Sequence, residues 1–286
     1  MAPGTIERLG LGFDVIKTIN PGIIYTQIKG FAVGSPYEIF FSFDMIGQAT
    51  GGTMRITGKA DCMPLKPGPT LGDTGTGILA TISILSALYK KKDTGEGQHI
   101  QLAMQDAMIQ YCRTALSAQS ATGKAAVRAS AGSVTGGKAP MGLYPFKPGG
   151  PNGFVYVYGT CADNSHCHRV LETIGRPDSI DDERYDTPKK RAAAKPKIEA
   201  MLIPFTQART KEEAMISLGE SKVPAGTVFD TMELQENANI EKRDIFQTID
   251  HPTVGPSKIP VWPFEASGDD VPLKPAPCWA NIMNPF

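Results

Sequence analysis

Apolar residues recur at helical spacing through Ile78, Leu79, Ile82, Leu85 and Leu88, which predicts a buried helix over about residues 76–91. Lys90, Lys91 and Lys92 close it, and cations suit the negative end of a helix dipole. A tight turn, Asp93 to Gly97, follows. The pattern then predicts a short strand over His99–Leu102 and a second long helix from Met104 to about residue 121. Upstream, the apolar run Ile23–Ile28 reads as a strand. Alternating strands and helices predict an α/β layer. Further on, the pattern gives a strand at Phe154–Tyr158, a helix at Ser165–Ile174, and helices near 198–207 and 211–219. Residues 116–137 are rich in Ala, Ser, Gly and Thr and read as a linker; the tail from Val223 is rich in proline and short strands. The expected organisation is therefore a portion of a larger α/β domain over 1–115, the linker over 116–137, a smaller α/β domain over 138–222, and a tail over 223–286.

The glycine-rich stretch Gly72-Asp73-Thr74-Gly75-Thr76-Gly77 stands at the mouth of the first long helix. Asp73 there has two readings. As an N-cap, its carboxylate would accept from free amides of the first turn. As a nucleophile, the same free N–H groups and the helix dipole would keep it ionised and oriented. Glycines beside it let a ligand approach the backbone closely. The residues alone leave both readings open.

Composition narrows the classes. In a chain of 286 residues, 29 basic and 29 acidic side chains balance to zero formal charge, which argues against a nucleic-acid or anionic-membrane surface. No apolar run is expected to reach membrane-spanning length, and no signal-peptide pattern is seen at the first residues. Five scattered cysteines fit a reducing cytoplasm better than a disulfide framework. Cys161, His166, Cys167 and His168 cluster in sequence. Their spacing is not a zinc pattern, and adjacent residues on a helix point in different directions, so no metal site is expected.

Several blocks occur in an order shared with a known family. They are Pro3–Gly12, Asn20–Phe31, Gly72–Gly77, Thr94–Ala107, Val223–Leu234 and His251–Pro263. Together they span most of the chain, which resembles the class III CoA-transferases, the group that includes formyl-CoA:oxalate CoA-transferase. The resemblance implies a Rossmann-like large domain with a smaller α/β domain. It implies Asp73 as a covalent nucleophile that forms a mixed anhydride and exchanges CoA, a glycine loop matched by Gly136 and Gly137, and CoA contacts at Arg8 and Leu9. It implies no tightly bound cofactor, with a coenzyme A thioester and a small carboxylic acid as substrates and an interlocked homodimer as the assembly.

The likeness also has departures. Related acyl-CoA racemases carry a catalytic histidine where this chain has Phe43, and phenylalanine cannot move a proton, which argues against a racemase. Formyl-CoA transferases resemble this chain there with a tyrosine, and have a lysine in place of Phe41. Asp44 reads either as a second acidic group near Asp73 or as a helix cap. The resemblance places Met1 inside the large domain and ends short of a closing helix. It therefore implies an internal portion of a transferase, a poor catalyst alone, with a non-catalytic binding protein as the alternative.

Overall fold

The computed structural model describes residues 3–130, 132–133, 138–159, 164–264, 267–268 and 273–274. The chain divides into two compact units: residues 1–142 with 158–200, and residues 143–157 with 201–286.

In chain order the first unit opens with helices α1 (Thr5–Arg8) and α2 (Phe13–Ile19), strand β1 (Ile24–Lys29), and helices α3 (Asp44–Thr50) and α4 (Thr53–Ile56). A single π-helical turn, Leu71–Gly75, leads into α5 (Thr76–Thr94). Strand β2 (Gln98–Ala103) and helices α6 (Met104–Tyr111) and α7 (Arg113–Thr122) follow. β1 and β2 pair in parallel, Ile24 opposite Gln98 through Lys29 opposite Ala103. The crossover between them contains α5, which packs on both strands, as a parallel α/β unit requires. Gly97 marks how tightly β2 begins: a Cβ there would lie 2.0 Å from the Ile23 carbonyl oxygen.

The face that α5 buries differs from expectation. Its buried residues are Thr76, Ala80 and Ala87, whereas Ile78, Ile82, Leu85 and Leu88 are 46–59% exposed. Small side chains let the helix approach the strands closely, and the larger ones therefore take the outer face. Continuous with the π-turn, the helix runs 24 residues, Leu71–Thr94, and by length and composition is apolar enough to cross a bilayer. The expectation that no apolar run reaches that length is thus corrected.

The second long helix is also two helices rather than one. Cys112 separates them at φ −83°, ψ 5°, outside helical geometry, so residues 116–122 of the expected linker belong to α7. The later elements are β3 (Met141–Pro145), β4 (Phe154–Tyr158), α8 (Ser165–Thr173), α9 (Pro188–Ala193), α10 (Lys195–Gln207) and α11 (Lys211–Glu220), of which β4, α8, α10 and α11 fall where the sequence pattern predicts them. Then come β5 (Ala225–Thr227), α12 (Thr231–Glu236), α13 (Ala238–Glu241), β6 (Phe246–His251) and β7 (Gly255–Pro260). Strands β3, β4 and β5 form one sheet in that order, and β6 and β7 form an antiparallel hairpin. α11 and α12 each carry a capping box, from Thr210 with Glu213 and from Asp230 with Glu233, which satisfies free amides at both helix starts.

Candidate active site

The site is built where the end of β1, the start of α3 and the π-turn meet, all in the first unit. Gly30 follows β1, and a Cβ on it would fall 2.0 Å from Ser42 Cβ. This close approach brings residues 42–44 against the strand end and sets where α3 begins. α3 then packs on α6 through Gly47 and Gly51. A Cβ on Gly47 would meet Met104 Cβ at 2.9 Å, and one on Gly51 would meet Met108 Cβ at 2.2 Å. Two glycines one helical turn apart let these helices nearly touch.

Asp44 is the first residue of α3, after an extended Phe43, and does not cap its own helix. It is 5% exposed and reaches instead to the π-turn. Its Oδ1 accepts from the Gly72 N–H at 2.8 Å and the Asp73 N–H at 3.3 Å. Its Oδ2 accepts from Gln48 Nε2 at 2.7 Å, with Lys66 Nζ 3.8 Å away. Gln48 is fully buried and also donates to the Pro69 carbonyl at 3.2 Å. The turn is held from its other sides by Thr76, whose Oγ1 donates to the Gly72 carbonyl at 2.5 Å, and by Tyr111, whose hydroxyl donates to the Gly75 carbonyl at 3.1 Å.

Asp73 lies in the middle of this turn and is exposed. Among the described residues no hydrogen bond or ion pair involves its carboxylate; its N–H is engaged by Asp44, and its backbone carbonyl accepts from the Thr76 N–H. The N-cap reading is therefore corrected. The acidic residue that satisfies the amides of the turn is Asp44, 28 residues earlier, and Asp73 keeps its carboxylate outward. π-helical turns are rare, and those that occur fall often at functional sites.

A cavity of about 580 Å³ lies along β1, lined among others by Ile6, Glu7, Lys29, Glu38, Phe41 and Phe43. Glu38 is pinned there: its Oε2 accepts from the Gly34 N–H at 2.7 Å, and its Oε1 pairs with Lys29 at 3.5 Å. Its carboxyl is held below the ordinary value, first by that backbone N–H and then by Lys29, against the opposing effect of desolvation. Phe41 and Phe43 are 74% and 71% exposed.

Arg8 and Leu9 lie at the end of α1, whose Gly4, Ile6 and Glu7 line the same cavity. Arg8 is exposed and folds back to donate to Thr5 Oγ1 at 2.9 Å. Thr5 is inside α1, and the left-handed Gly4 precedes it as the cap. Leu9 is 62% exposed. Gly136 and Gly137 lie outside the described residues, as does Cys161. His166, Cys167 and His168 follow one another on α8, with Cys167 buried. Among the described residues no group of three or more His, Cys, Asp or Glu side chains could hold a metal ion.

The geometry is a parallel α/β crossover whose long helix opens on a Gly-Asp turn, held by Asp44 and carrying the Asp73 carboxylate outward. The chain matches the sequence profile of CoA-transferase family III over residues 1–279 and belongs to that family. It is 34% identical to a formyl-CoA:oxalate CoA-transferase of Streptomyces avermitilis and 32% identical to one of Streptomyces coelicolor, in each case over 96% of this chain and 69% of the relative. The chain thus spans a little over two thirds of the length of these relatives. Among solved structures, it resembles a CAIB/BAIF family protein from Brucella suis with a TM-score of 0.76 at 27% identity, over 94% of this chain and 68% of that one. It shares the fold of Rv3272 from Mycobacterium tuberculosis, with a TM-score of 0.79 at 18% identity over 96% of this chain and 71% of that one.

Proposed function

We propose that this chain moves CoA between an acyl-CoA and a carboxylic acid through a covalent intermediate on Asp73. The observation that carries the reading is the outward, unpartnered carboxylate of Asp73 on a turn whose backbone is fixed from three sides. An Asp73 oxygen attacks the thioester carbonyl, the C–S bond breaks, and CoA leaves as thiolate with a mixed anhydride left on the protein. The thiolate then attacks the Asp73 carbonyl and releases the first carboxylate, which leaves Asp73 as a thioester of CoA. An incoming carboxylate attacks that thioester, and the returning thiolate takes the new acyl group and frees Asp73. Splitting the exchange into such steps lowers each barrier. Arg8 suits the nucleotide phosphates of CoA, since its planar donor fork stays charged, with Leu9 beside it. The test is intact-mass analysis after incubation with acyl-CoAs and quenching with hydroxylamine or borohydride. An adduct or reduction product mapped to Asp73 supports the reading; labelling elsewhere, or none in folded protein, rejects it.

If the acyl group enters the cavity along β1, its lining disfavours a second carboxylate on that group. Phe41 and Phe43 line it together with the carboxylates Glu7 and Glu38, and Lys29, the cation of its lining among the described residues, is engaged with Glu38. A small dicarboxylate would bring charge that this lining leaves uncompensated, and burying unpaired charge is strongly unfavourable. Phenylacetyl-CoA or isobutyryl-CoA is expected to acylate Asp73 with a kcat/KM at least about tenfold above oxalyl-CoA, a difference worth about 1.4 kcal/mol. Phe41→Lys is expected to narrow that gap. Equal rates for the three thioesters would reject an apolar acyl site without touching the role of Asp73.

A further inference from the structure

We propose that Asp44 is the positioning residue of the reaction, its buried carboxylate fixing the Gly72–Asp73 backbone so that Asp73 faces the thioester. The proposal rests on the reading of Asp73 as nucleophile. Asp44 does not cap its own helix, within which its Oδ2 meets only the Gln48 amide one turn on. Instead its Oδ1 is shared between two consecutive amides of a turn 28 and 29 residues later.

The surroundings are shaped for that contact. A Cβ on Gly72 would lie 2.6 Å from the Asp44 carbonyl oxygen and 3.1 Å from Oδ1, so only glycine lets the carboxylate reach the amides. A carboxylate at 5% exposure needs compensation, and it has it in three N–H donors with Lys66 nearby. Buried charges persist when paired and hydrogen-bonded in this way. Without Asp44, the natural acceptor for the turn's amides would be the Asp73 side chain itself, as in any aspartate-capped helix. That arrangement would fold the nucleophile back onto the backbone. Asp44 takes the amides and leaves the Asp73 carboxylate free.

The experiment compares wild type with Asp44→Ala, Asp44→Asn and Asp44→Glu. Two quantities are followed: the single-turnover rate of Asp73 acylation at saturating acyl-CoA, with the half-saturating concentration, and hydrogen–deuterium exchange of the amides of residues 71–76. Asp44→Ala is expected to slow acylation about 100-fold, the scale on which small misplacement of a reacting group acts. Half-saturation should stay within about threefold, since Asp44 does not contact the thioester. Amide exchange at Gly72 and Asp73 should quicken at least about tenfold, as local opening becomes easier. Asp44→Asn keeps the Oδ1 acceptor for both turn amides, and the Gln48 amide can turn over to meet the new NH₂ with its Oε1, which has no partner among the described residues, at the cost of its bond to the Pro69 carbonyl outside the turn. It is therefore expected to recover both protection and most of the rate. Should Asp44→Ala fail to fold, the Asn and Glu variants carry the test, because the longer Glu arm keeps the charge but cannot fit against Gly72. Fast acylation by Asp44→Ala or Asp44→Glu overturns the proposal. So does slow acylation by Asp44→Asn with protection intact, which would place the effect in charge rather than position. Absence of any acylation in wild type removes the nucleophile reading itself, a different failure visible before any Asp44 variant is made.

Discussion

Asp73→Asn is expected to lower CoA transfer by at least about 1,000-fold while shifting the thermal midpoint by no more than about 2 °C. The two halves of this expectation come from one observation. The residue is exposed, and its carboxylate makes no hydrogen bond or ion pair among the described residues, while the N–H that Asp44 accepts from is kept in the variant, so folding does not depend on its charge. Surface substitutions of this kind stay within about 0.5 kcal/mol. The chemistry, in contrast, needs a carboxylate oxygen that can attack a thioester and then leave. An amide of the same shape does neither. Steady-state assay of acyl exchange, together with a melting curve, measures both halves. More than a tenth of wild-type transfer in the variant would reject Asp73 as nucleophile. A large loss of stability would show instead that the side chain holds the turn.

Gly72→Ala is expected to lose both stability and chemistry: about 3 kcal/mol of stability together with acylation, from adding one methyl group. The added Cβ would meet the Asp44 carbonyl oxygen at 2.6 Å and the Asp44 Cα at 3.0 Å. Both are backbone atoms, and neither can rotate aside. Relief requires the start of α3 to move off the π-turn, which breaks the hydrogen bonds from Gly72 and Asp73 to Asp44. Those amides then lose their Asp44 acceptor, and the buried Asp44 carboxylate loses two of its donors. Gly77→Ala is the matched control, since nothing lies within 4 Å of its added Cβ. In an open helical site alanine is expected to gain up to about 1 kcal/mol. Urea unfolding with an unchanged slope compares the two. If Gly72→Ala is as stable as Gly77→Ala, the close approach of Asp44 to the turn is wrong.

Much of the framework was legible in the sequence because it depends on neighbours a few residues apart. The run Phe154–Tyr158 became β4, Ser165–Thr173 became α8, and the apolar stretches around residues 24 and 99 became paired parallel strands. The Gly-Asp turn stood out by composition, and the ordered blocks around it pointed to the family that the whole-chain match shows.

The sequence by itself determined the periodicity of the elements, the family, and the presence of an aspartate at the mouth of a helix. Only the tertiary structure decided which face of α5 is buried, because spacing fixes that residues share a face but not which face meets a neighbour. There the smaller Thr76, Ala80 and Ala87 turned inward and the larger isoleucines and leucines outward. The tertiary structure also decided which acid caps the turn. Asp73 was the local candidate, but the amides went to Asp44 across 28 residues. That pairing exists because Gly30, Gly47, Gly51 and Gly72 let four backbone segments come closer than any side chain would permit, a condition set by packing in space and invisible to any window along the chain.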